Sequence, residues 1–159
     1  MKLLQRIRHF GLKRATMTGL AFGLVTMSLD AGIAHFAGRP LKHPAQIIPV
    51  AFGAVVMGLL AALLHPDEKR LVKIARTVAV AAVAVGLLGS VYHAVAFVRM
   101  LTAGGAFDTS LIGVALSIAP PLLAPGAFAG LGAALWMLAS PRVGLTLAAQ
   151  RHDRALAIA

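Results

Sequence analysis

An aspartate at position 30 sits inside an unbroken apolar stretch, Ala15 to Ala37, and few other residues have the chemistry to join it: His35, His43, Tyr92 and His93. An ionisable side chain at the centre of a membrane helix costs about 2.5–3.5 kcal/mol on insertion scales, so it faces protein or water and takes a partner. Histidine with carboxylate is a donor set for a transition metal such as copper, iron or zinc. Two neutral histidines on facing helices suit a b-type haem in a four-helix bundle. With Tyr92 beside it, the Asp30–His93 pair could instead hold a quinone headgroup or pass protons. The bland reading stands beside these: Asp30 and His93 hydrogen-bond across a helix contact and fix its register, a contact worth roughly 0.6–2 kcal/mol.

Other chemistries are excluded early. The chain has no cysteine, which removes disulfides, thiol catalysis, cysteine-ligated iron–sulfur clusters and c-type haem attachment. No phosphate-cradling glycine loop, serine elbow, HExxH or paired-carboxylate motif is present, so an enzyme is the less favoured reading. The formal charge of +10 comes with 59% hydrophobic and 13% charged residues, about half the charged fraction of a soluble domain. The basic residues cluster at the ends of apolar blocks, where they set orientation and meet anionic headgroups. No basic stripe with aromatic platforms points to nucleic acid.

The blocks themselves predict an all-α, integral-membrane four-helix bundle in one domain spanning 1–159. Residues 1–14 form a basic segment at the membrane surface. Spans are expected over about 15–37, 46–64, 74–100 and 111–139, with 141–159 as a basic tail. The first apolar run is too long for a cleaved signal peptide. Along the first span Gly19, Gly23, Thr26 and Asp30 share one stripe at 100° per residue, which aims Asp30 into a helix contact. His35 lies about 140° round from it. On the third span Gly86, Gly89, Ser90 and His93 form a second small and polar face. The fourth contains Pro120, Pro121 and Pro125, which must kink or break it, followed by a Gly126/Gly130 pair. A broken helix within a membrane requires a protein or cavity neighbour for its freed carbonyls.

Orientation follows from the basic residues. Placing the N-terminus inside puts Lys2, Arg6, Arg8, Lys13, Arg14, Lys69, Arg70, Lys73, Arg76, Arg142, Arg151 and Arg154 on the cytoplasmic side. Only Arg39, Lys42 and Arg99 fall on the other. Both termini are thus expected in the cytoplasm of a bacterial inner membrane. Asp30, His35, His43, Tyr92, His93 and the proline break then gather in the periplasmic half. The composite expectation is a non-catalytic accessory subunit binding a metal, haem or quinone-like ligand there, within a redox or metal-handling assembly. Alternatives are a structural subunit docking partner helices through its glycine stripes, as a homo-oligomer or in a larger complex, and a proton-coupled carrier of small solutes.

Overall fold

A computed structural model describes residues 2–36, 44–64, 67–118 and 124–140. Every regular element among them is helical: α1 (Lys2–Phe36), α2 (Ile48–Leu63), α3 (Glu68–Leu101), α4 (Ile112–Ile118) and α5 (Ala124–Ala139), with short 3-10 turns at Pro44–Ile47 and Thr109–Leu111. Three of these helices are long and apolar enough to cross a membrane, over Gly11–Phe36, Pro44–Leu63 and Glu68–Leu101. The surface suits lipid, since Phe22, Leu29, Ile33, Leu87, Val91 and Leu116 are all at least 60% exposed.

The helix ends follow local chemistry. Asp67 caps α3, its carboxylate accepting from the Lys69 and Arg70 amides at 3.0 and 3.2 Å, which satisfies two of the first-turn donors. With that cap α3 begins at Glu68, six residues ahead of the expected boundary near Ile74. Proline opens α2 in its first turn, where the missing N–H was unpaired in any case. The basic segment 2–14 and the first span are one continuous helix. Gly11 between them is a weak breaker, about 1 kcal/mol worse than alanine. The residues expected to form a fourth span carry α4 and α5, neither of which is among the three helices of spanning length. Pro120 and Pro121 fall outside the described residues, and Pro125 lies in the first turn of α5, where it does not break that helix.

The helices close a ring in the order α1, α2, α3, α5, with the most extensive contact between α3 and α5. A buried apolar core runs down its centre, contributed by Met17, Ala21 and Leu24 of α1, Phe52, Val56 and Leu59 of α2, Ala75, Ala79 and Ala82 of α3, and Phe128 and Leu135 of α5. Phe52 and Phe128 meet edge to face at 6.0 Å across it, the geometry favoured by the ring quadrupole. Between α3 and α5 the backbones come together because side chains are missing. A Cβ on Gly86 would lie 2.5 Å from the Ala129 nitrogen and 2.8 Å from the Pro125 carbonyl oxygen. One on Gly132 would lie 2.7 Å from the Ala79 carbonyl oxygen. Small residues allowing close backbone approach are the usual cement of helices in lipid, where burying alkyl groups gains little.

Candidate functional site

α1 presents its two faces very differently. Met17, Ala21, Leu24 and Ser28 are buried, and Ser28 lies against Gly53 of α2, where a Cβ would sit 2.8 Å from its own. The Ser28 hydroxyl donates to the Leu24 carbonyl at 2.9 Å, so this buried polar group is satisfied within its helix. Gly19 and Ser28 are nine residues apart, roughly 180° around the helix. The stripe carrying Gly19, Thr26 and Asp30 therefore looks away from the bundle, and all three residues are exposed. The Thr26 hydroxyl turns back to the Phe22 carbonyl at 3.0 Å. Asp30 makes no hydrogen bond or ion pair among the described residues. This corrects the expected geometry. Of the stripe only Gly23 is partly covered, by the Leu131 side chain at 3.5 Å, because the inward phase of α1 is set by Met17, Ala21 and Leu24.

The third helix holds its glycines differently. Gly86 and Gly89 lie against Pro125 of α5, and Ser90 donates to the Gly86 carbonyl at 2.8 Å. Gly126 and Gly130 have open space where a Cβ would be, among the described residues. His93 continues the inward line of α3 and is half-buried. The residue it approaches is His35 of α1, also half-buried, close enough for the two imidazoles to interact electrostatically. Of the residues expected to share one site, the structure thus brings His35 within electrostatic range of His93 and leaves Asp30 on the outward face of α1. Tyr92 is 52% exposed on the adjacent side of α3, and His43 lies outside the described residues. Among the described residues no group of three or more His, Asp or Glu is placed to hold a metal ion.

Contacts between α1 and α3 fix the level of each group along the bundle. At one end Lys13 pairs with Glu68 at 3.7 Å; at the other His35 lies within electrostatic range of His93. These contacts are separated by about 33 Å of α1 and about 38 Å of α3 at 1.5 Å per residue. That separation slightly exceeds a ~30 Å hydrocarbon core. Arg76 reaches over the Trp136 ring at 5.6 Å on the Lys13 side, a cation–π contact that lets a long basic side chain rest on an aromatic near an interface. Beyond α3, Asp108 is exposed and accepts from the Ser110 amide at 2.8 Å and its hydroxyl at 2.6 Å. The Ser110 hydroxyl and amide hold this carboxyl below its ordinary range, so it stays ionised as the cap of the following turn.

Residues that the sequence reading missed are Ser28 with Gly53, and Gly132. Gly132 lies two residues past the Gly126/Gly130 pair, and its signal was the alanine-rich spacing of Ala75, Ala79 and Ala82 opposite. No family model, no curated protein and no solved structure matches the chain.

Proposed function

We propose that this chain is a small, non-catalytic scaffold subunit of a bacterial inner-membrane assembly, docking partner helices on the outward face of α1. α1, α2 and α3 make three crossings and α4 with α5 the fourth, with both termini in the cytoplasm. The observation that carries the reading is Asp30: an acid well inside a membrane-length helix, exposed on the side opposite the bundle core. Such a group is costly against lipid and is relieved by a neighbour. The neighbouring positions Gly19 and Thr26 leave room for another helix to approach. The reading is tested by solubilising native membranes in mild detergent and measuring the mass of the particle that carries the chain. A particle much heavier than one chain with its detergent is expected; a single-chain particle would overturn the reading.

A second reading rests on His35 and His93 lying half-buried on different helices within electrostatic range of each other. Two imidazoles from different helices can supply axial ligands to a b-type haem or half of a metal site, or hold a quinone headgroup. On this reading the purified protein shows a Soret band or bound metal that His93→Ala removes. A colourless, metal-free protein would leave the quinone headgroup as the remaining ligand.

A further inference from the structure

The end of the bundle that carries the Lys13–Glu68 pair also holds two half-buried arginines. Arg14 continues the inward line of Met17, Ala21 and Leu24 on α1. Arg76 comes one turn before Ala79 of α3, which meets Gly132 of α5. Its guanidinium rests over the Trp136 ring, and its Nε is shut off from solvent with no hydrogen bond among the described residues. Gly23 of α1 lies against Leu131 of α5. Counting from that contact toward the same end, Arg14 is nine residues away and Trp136 five, so the two arginines differ in level by about 6 Å. In the ring α5 stands between α1 and α3, and therefore between the helices that carry them. Val80, one turn deeper than Arg76, and Met137, next to Trp136, are apolar and exposed.

The chain's own acids fall short of the positive charge at this end. There are five in the whole sequence. Asp30 is 16 residues beyond Arg14 on α1, about 24 Å away, and Asp108 follows the far end of α3. Asp67 caps α3 and Glu68 pairs with Lys13. Asp153 lies outside the described residues, and the segment 141–159 that holds it also brings Arg142, Arg151 and Arg154. Wherever that segment lies, it adds more positive charge than it cancels. A carbonyl from any undescribed residue can accept from Arg76 without cancelling its charge. A second copy in the same orientation adds the same sign. The anions a membrane supplies at the level of an interfacial tryptophan are lipid phosphates, and the arginine fork matches a phosphate in bidentate fashion. We propose that Arg76 and Arg14 hold the headgroup phosphate of an anionic phospholipid beside the last turns of α5, with its acyl chains over Val80, Trp136 and Met137. On the proposed orientation this is the cytoplasmic leaflet, where basic pockets between helices take such headgroups. The site does not depend on the scaffold reading above.

Trp136 is the only tryptophan in the chain, so its fluorescence reports on this site alone. The test places the full chain in phosphatidylcholine vesicles and quenches Trp136 with acyl-brominated phosphatidylglycerol or, in parallel, acyl-brominated phosphatidylcholine. Phosphatidylglycerol is expected to be favoured about fivefold at the site. Arg76→Gln should remove most of that preference, and Arg76→Lys should restore only part of it, because an ammonium lacks the fork. Lys69→Gln makes the same charge change at an exposed position about 10 Å further out, and should leave the preference intact. Equal quenching of the parent chain by the two lipids would overturn the inference, whatever the variants do. So would an equal loss in Lys69→Gln and Arg76→Gln, which would make the preference a diffuse surface-charge effect. Relief of quenching by inorganic phosphate or by an oligoglutamate peptide at constant ionic strength would also overturn it, assigning the arginines to a soluble anion or to an acidic protein segment.

Discussion

Gly86→Ala should push α3 and α5 apart and lower the stability of the bundle by about 1–3 kcal/mol, the range for overpacking a close-fitted contact. The atoms a Cβ would meet are the Ala129 nitrogen, the Pro125 carbonyl oxygen and the Ala129 Cβ, the first at 2.5 Å. Two of these are backbone, so no rotamer change can relieve the clash; one helix must move. The displacement is shared with Gly89 and Gly132, which depend on the same close approach. Gly126→Ala and Gly130→Ala supply the control, because their Cβ atoms enter open space among the described residues. Those two variants should stay within about 0.5 kcal/mol of the parent, as expected of exposed sites. Thermal unfolding in detergent would separate the two groups. Equal transitions for Gly86→Ala and Gly130→Ala would mean that α3 and α5 do not approach as described.

The second large effect is all-or-none. On the proposed orientation, with both termini in the cytoplasm, the turn after α3 would face the periplasm and the start of α3 the cytoplasm. The chain has no cysteine, so single introduced thiols report without background. Gly104→Cys occupies an exposed position with open space around its Cβ among the described residues, and Lys69→Cys an exposed position in the first turn of α3. A membrane-impermeant maleimide should label Gly104→Cys in intact spheroplasts and reach Lys69→Cys only after permeabilisation. The basic residues predict this order because lysine and arginine near span ends are retained inside. The reverse pattern would invert the bundle and place Asp30 in the cytoplasmic half.

Much of the architecture was legible in the sequence, and the limits are physical. Blocks of apolar residues too long for a soluble core announced the helices that are long and apolar enough to cross a membrane. The start of α3 was legible too, in Asp67 ahead of Glu68: a capped helix carries charges readily in its first turn, so α3 begins ahead of its apolar block. The phase of α1 was harder. A stripe of glycine, threonine and aspartate marks a surface made for contact, yet a helical wheel does not say whether the contact lies within the chain or outside it. Here Met17, Ala21, Leu24 and Ser28 filled the inward side, and the small-residue stripe was left outside. His35 and His93 were both in the expected site, but which residue His93 approaches was not legible: the wheel of each helix fixes angles about its own axis, while that approach depends on how α1 and α3 stand around the ring. The close approach of Gly132 to Ala79 likewise belongs to a pair of helices and not to either one.

The central claim is that the Thr26 side of α1 is covered by another protein in the native membrane. A photo-crosslinking amino acid at Thr26, compared with the same group at the buried Leu24, tests it directly in intact membranes. Adducts from Thr26 to a second polypeptide are predicted, with Leu24 giving only products within the chain. Adducts from Thr26 to lipid alone, at yields matching the exposed Leu87 of α3, would contradict it.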